Sequence, residues 1–134
     1  MSEEKGEWVK GGVICNSVAS LNHHYDTLKP DTVIDVKELS DDDLKSSMMF
    51  VNGARTVVIT QLTSEKASYI IKNFDSLFSG KKITNLYFDP YNSLYGMDAS
   101  LMMSALTLGE CCKKVESITN AYFIIREGTY CRIN

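Results

Sequence analysis

Ile83-Thr84-Asn85-Leu86-Tyr87-Phe88-Asp89-Pro90-Tyr91-Asn92-Ser93-Leu94-Tyr95-Gly96-Met97 is the stretch on which the fold turns. Its first six residues are rich in aromatic and β-branched side chains and predict a strand. Asp89-Pro90-Tyr91-Asn92 puts proline at the second position of a type I turn, where its fixed φ fits, and 93–97 then predicts a returning strand. A hairpin at this point predicts an antiparallel sheet around it.

Working outward, residues 48–62 predict two strand segments bent at Asn52-Gly53, with Val57-Val58-Ile59 as a central strand. After Thr63-Ser64 the apolar residues Ala67, Ile70, Ile71, Phe74, Leu77 and Phe78 follow a 3.6-residue period that Gly80 stops, which predicts an amphipathic helix over 64–79. Cys111, Val115, Ile118, Tyr122 and Ile125 recur at spacings of four and three and predict a last helix running to about Gly128. Its start is open between Thr107 and Asp98, the earlier choice enclosing Gly109. Upstream, 12–17 and 18–25 form a candidate hairpin. Pro30 and Asp31 suit the start of a helix over about 30–38, while the β-branched run Thr32-Val33-Ile34-Asp35-Val36 favours a strand. Ser40-Asp41-Asp42-Asp43-Leu44 predicts a solvated acidic turn, with a helix cap as its competitor. No internal repeat stands out. The whole predicts a single α+β domain over 1–134, with a central antiparallel sheet flanked by helices and a C-terminal helix packed on it.

Composition narrows the function. With 134 residues, 44% of them hydrophobic, the chain can bury one core and not two. A net charge of −3 argues against a dedicated nucleic-acid binder, whose affinity comes from clustered Lys and Arg. No stretch approaches the roughly 18 apolar residues of a spanning helix, and Met1-Ser2-Glu3-Glu4-Lys5-Gly6-Glu7 lacks the pattern of a secretory signal, so a soluble cytoplasmic protein is expected. Cys15, Cys111, Cys112 and Cys131 show no metal-ligand spacing and read as reduced thiols. His23 and His24, adjacent on a strand, face opposite sides and suit neither a metal nor a catalytic base. Phosphate loops, nucleophile elbows and zinc-protease motifs are missing, and Asp41-Asp42-Asp43 lacks the spacing of a calcium loop. A non-enzymatic binding module without cofactor or metal is expected.

Four stretches, taken in order, resemble the profilin family. Gly11-Gly12-Val13-Ile14-Cys15-Asn16-Ser17-Val18-Ala19 is similar to its first hairpin, and Leu28-Lys29-Pro30-Asp31-Thr32-Val33 to the opening of its second helix. Asn52-Gly53-Ala54-Arg55-Thr56-Val57-Val58-Ile59 resembles its glycine-led strand, and Thr107-Leu108-Gly109-Glu110-Cys111-Cys112-Lys113-Lys114-Val115-Glu116 the start of its last helix. The resemblance implies a monomeric, cytoskeleton-associated protein that binds actin monomers and regulates filament assembly. It implies an actin-contacting surface made of Arg55, Val57, Thr60, Thr107, Gly109, Cys112, Lys113 and Glu116. Relatives bind polyproline through paired aromatics. Here Trp8 is the one indole and Ala19 stands where a second is usual, so weak or absent polyproline binding is implied, through Trp8 and Tyr122. Phosphoinositide binding, another family property, would fall to Lys66, Lys72, Lys81 and Lys82. A roadblock or longin-like dimeric scaffold for small GTPases or motor complexes predicts a similar order of elements and is the alternative.

Overall fold

A computed structural model describes residues 5–10, 13–17, 30–91, 99–126 and 129–134. The elements are β1 (Lys5–Lys10), β2 (Val13–Ser17), β3 (Thr32–Asp35), α1 (Asp41–Ser47) running into a 3-10 turn (Met48–Val51), β4 (Thr56–Leu62), α2 (Ser64–Lys72), α3 (Phe74–Phe78), β5 (Asn85–Pro90), α4 (Ala99–Lys113), β6 (Asn120–Arg126) and β7 (Thr129–Arg132). They form an α+β domain around one seven-stranded sheet of order β1-β2-β7-β6-β5-β4-β3.

The centre of that sheet is parallel, which corrects the antiparallel expectation. β3, β4, β5 and β6 are consecutive neighbours running the same way, and only β7, β2 and β1 pair antiparallel at the far side. The cause lies in the connections. Each link from β3 to β6 contains a helix, and a crossover of that length returns the chain parallel to where it left. β5 spends both of its edges on β4 and β6, and the return strand expected at 93–97 lies outside the described residues.

Parallel strands taken in sequence order, with right-handed crossovers, carry their helices on one face. The buried cluster confirms this. Val57, Ile59, Leu86, Phe88, Ala121 and Phe123 from the strands pack with Leu44, Ile70, Phe74, Leu77, Leu108 and Cys112 from the helices. The register also exposes a repeat. Ala54, Ile83 and Ile118 are buried three residues before Val57, Leu86 and Ala121, which are themselves aligned, and Ile59, Phe88 and Phe123 follow two residues on. The apolar word is therefore Φ-x-x-Φ-x-Φ in three consecutive helix–strand units. Bonded partners along the series lie 25, 29 and 35 residues apart. Two of the words are nearly identical: Ile83-Thr84-Asn85-Leu86-Tyr87-Phe88 and Ile118-Thr119-Asn120-Ala121-Tyr122-Phe123. The chain does contain an internal repeat.

Several local expectations change with the topology. Residues 32–35 are strand, as their β-branching favours, and not helix. Ser40 caps α1 by accepting from the Asp43 N–H, so the acidic run is the first turn of a helix whose dipole it complements. Residues 48–51 form a 3-10 turn instead of a strand. The 64–79 segment is helical, broken at Asn73 into α2 and α3, and ends before Gly80, whose φ of +76° suits glycine. β2 pairs with β1 on its N-terminal side; the 18–25 partner expected for it lies outside the described residues.

The largest correction is at the C-terminus. The last helix is 99–113, and 120–126 is a strand followed by another, so no C-terminal helix covers the sheet. The stripe drawn through Ile118, Tyr122 and Ile125 crosses a turn at 114–117; from Asn120 onward the chain pairs as a strand with β5 and β7, and Phe123 and Ile124, buried side by side in sequence, address its two opposite faces. Gly109 sits inside α4 because the Ile133 backbone carbonyl occupies the place of a Cβ. Cys111 and Cys112 are free thiols, whereas Cys131, opposite Cys15 in the β2–β7 register, is disulfide-bonded, which corrects its reading as reduced.

Candidate functional site

Because helices take one face of the parallel strands, the alternate residues of each strand address the other. There the repeat stacks like on like. Asn120 Nδ2 donates to Asn85 Oδ1 at 2.8 Å, and Asn85 Nδ2 donates to Thr56 Oγ1 at 3.3 Å, a polar ladder across β6, β5 and β4. One pleat further along, the rings of Tyr87 and Tyr122 stack with centroids 5.1 Å apart. Arg132, exposed on β7, is the register partner of Tyr122. Beyond the tyrosines, Thr60 Oγ1 donates to Asp89 Oδ2 at 3.0 Å, both residues buried. Val58 and Ile124 are fully buried on this same face without belonging to the helix-side core.

The strands begin on a rim tied by the same repeat. The Arg55 carbonyl accepts the N–H groups of Thr84 and Asn85, and the Thr84 carbonyl accepts those of Thr119 and Asn120. The Arg132 guanidinium donates to the Thr119 carbonyl at 3.0 Å. Asp31 opens the series. Its carboxylate accepts the Arg55 and Thr56 N–H groups at 2.8 and 3.0 Å, and those bonds, that from Thr56 first, hold its pKa below the ordinary 3.8.

Charge is sorted along the strand direction. α1, α2 and α4 start at the strand ends and run toward the strand starts, so their dipoles favour acids at the first edge and bases at the second, while α3, which continues α2, carries Asp75 toward the second edge. Asp41, Asp42 and Asp43 open α1 and Glu65 opens α2, while Lys45, Lys72 and Lys113 lie in last turns. Connections at the strand starts add Arg55, Lys81, Lys82 and Lys114. Lys81 donates to Asn52 Oδ1 at 2.6 Å and Lys113 pairs with Glu110 at 3.0 Å. Arg55, Lys82 and Lys114 form no ion pair among the described residues.

The residues expected to contact actin divide. Arg55, Thr107, Lys113 and Glu116 are exposed, with Arg55, Lys113 and Glu116 at the strand-start end. Val57 and Cys112 are wholly buried in the helix-side core, Thr60 is buried on the opposite face with its hydroxyl spent on Asp89, and Gly109 is closed over by Ile133. Burial also pushes the Cys112 thiol up to about 12, so it stays protonated and unreactive at neutral pH. These four cannot offer a surface while the domain is folded. Trp8 and Tyr122, expected to share a groove, lie on β1 and β6 with β2 and β7 between them, roughly 14 Å along the sheet at ~4.8 Å per strand. Among the four lysines assigned to phosphoinositide, Lys66 sits at the acidic end, 3.4 Å from Asp41, away from Lys72, Lys81 and Lys82. His23 and His24 lie outside the described residues. Among the described residues no cluster of His, Cys, Asp or Glu is placed to hold a metal, and no helix is long and apolar enough to cross a membrane.

What sequence reasoning missed is the ladder itself. Its signal was present: Ile-Thr-Asn-x-Tyr-Phe occurs at 83–88 and again at 118–123. Comparison with known proteins adds nothing to this geometry, since no family model, curated protein or solved structure matches the chain significantly.

Proposed function

We propose that this chain is a non-catalytic protein-binding module built as a short array of helix–strand repeats, with its partner taken at the strand-start half of the ladder face and the adjoining rim. The single observation that carries this is the register of identical residues, Asn120 on Asn85 and Tyr122 on Tyr87. Helix–strand repeats that stack in this way build extended surfaces whose side chains recur at a fixed pitch, and such surfaces serve binding in solenoid proteins. Tyrosine and arginine, here adjacent, are also the side chains most enriched where interfaces concentrate their energy. The test is a peptide-display selection on the folded domain, counter-selected with Tyr87→Ala/Tyr122→Ala. The reading expects binders that the double variant loses; binders indifferent to it contradict the reading.

An actin-like filament subunit is the partner that the profilin resemblance puts first, and regulation of filament assembly is the role that would follow. With the antiparallel centre gone, this second reading rests on Arg55, Lys113 and Glu116 lying exposed at one end. Titration of labelled actin monomer tests it. Arg55→Glu with Lys113→Glu is expected to weaken binding at least tenfold, about 1.4 kcal/mol. An unchanged affinity moves the contact elsewhere, and no binding by the native chain removes actin while leaving the module. Polyproline binding is proposed to be absent, given the separation of Trp8 from Tyr122. Phosphoinositide binding keeps at most Lys72, Lys81 and Lys82. A monomer in light scattering is expected; a dimer revives the scaffold alternative.

A further inference from the structure

We propose that the strand-start rim receives an acidic polypeptide segment, a stretch of partner rich in Asp and Glu. The inference rests on the protein-binding reading above and names the chemistry of the partner. From Arg55 at the start of β4 to Arg132 at the end of β7 the rim crosses three strand spacings, roughly 14 Å, about the length of four extended residues. Lys82 and Lys114 stand in the connections that enter β5 and β6. Arg55, Lys82 and Lys114 carry no ion pair among the described residues, and Arg132 commits Nη2 to the Thr119 carbonyl while its guanidinium offers five donors in all. Guanidinium groups at both ends of such a row suit carboxylates, which they bind in a planar, bidentate manner.

The rest of the molecule directs the same ligand. Asp31, an acid of the rim, is engaged by two backbone N–H groups and lies close enough to feel the Arg55 charge, without forming an ion pair with it, so that guanidinium keeps its hydrogen-bond donors for a further carboxylate. Asp35, Glu38, Asp41, Asp42, Asp43 and Glu65 gather at the opposite end, so an acidic segment approaching the molecule is repelled there and drawn to the strand starts. A nucleic acid is disfavoured by the net charge of −3 and by a row too short to neutralise a run of phosphates. A lipid surface is disfavoured because Lys66 is tied to Asp41 at the other end, which leaves the lysines divided between two ends and not spread over one broad face.

The experiment is fluorescence anisotropy of a short labelled Glu-rich peptide with the full chain at low ionic strength, beside its Gln-for-Glu counterpart, phosphatidylserine vesicles and a single-stranded oligonucleotide. Saturable binding of the Glu peptide alone is expected. Arg55→Glu with Lys82→Glu should weaken it at least tenfold, Arg55→Gln with Lys82→Gln by less, and Lys37→Glu at the acidic end should leave it unchanged; circular dichroism reports that each variant is folded. The proposal is overturned by no binding, by equal binding of the Gln peptide, by indifference to the double reversal, or by preference for vesicles or oligonucleotide. If the Glu peptide fails while display-selected binders still depend on Tyr87 and Tyr122, only this inference falls.

Discussion

Residues 83–88 and 118–123 are almost the same six-residue word, yet the surrounding pattern gives them opposite readings. The first, followed by a proline turn, reads as one arm of a hairpin; the second, preceded by apolar residues at helical spacing, reads as the middle of a helix. Both are strands, side by side and parallel, and matched residues face the same way in both copies. Isoleucine, the residue after Asn, and Phe face the helices; Thr bonds the preceding carbonyl on the rim; Asn and Tyr stack on the second face. What a segment becomes is set here by its own alternation, and the flanking period misleads.

The sharpest way to break this equivalence is to truncate the matched aromatics. Phe88→Ala and Phe123→Ala remove fully buried rings whose centroids lie 5.8 Å apart. Each is expected to cost about 3–5 kcal/mol in urea unfolding. A loss under about 1 kcal/mol at either site would show that the two words are not equivalent. The helix joining the copies comes next. Gly109→Ala gains about 1 kcal/mol of helix propensity, but its methyl must displace the Ile133 backbone, a strain of about 1–3 kcal/mol, so a net loss is expected in the same measurement. Smaller still is the asymmetry inside the ladder. Asn85 both accepts from Asn120 and donates to Thr56, whereas Asn120 has no ladder partner beyond Asn85 among the described residues. Asn85→Ala should therefore cost more than Asn120→Ala, by about 1 kcal/mol.

The smallest effect separates the first unit from its copies. Among the described residues, only there does a carboxylate, Asp31, brace the rim. Its folded pKa is lowered, so its contribution is fully present above the unfolded value near 3.8 and is lost as pH falls through the lower folded one. The Tm difference between the native chain and Asp31→Asn should be constant from neutral pH to about 5 and shrink in acid. A difference that grows on acidification contradicts the assignment.

Much of the helical layer was legible. The 3.6 period from Ala67 to Phe78 and the glycine stop describe α2 and α3, and an early start for α4 was open because Gly109 can lie within a helix. Strand direction was not legible from residues 83–97 alone. Direction is decided by what the chain does before it returns, and Asp89-Pro90 serves a hairpin turn and the end of a buried parallel strand equally well. Of the residues expected to meet a partner, Arg55, Thr107, Lys113 and Glu116 are exposed, as polar side chains at strand starts and on helix flanks usually are. Val57, Thr60 and Cys112 look like surface candidates until both faces of β4 and the inner face of α4 are seen to be covered.

Everything proposed for the rim and the ladder depends on β5 and β6 lying parallel in this register. Couplings transmitted through hydrogen bonds in an NMR long-range HNCO measurement report that pairing directly. The Thr119 and Asn120 amides should correlate with the Thr84 carbonyl, and the Thr84 and Asn85 amides with that of Arg55. Correlations linking 85–88 to 93–97 would instead establish the hairpin, and the parallel repeat would be wrong.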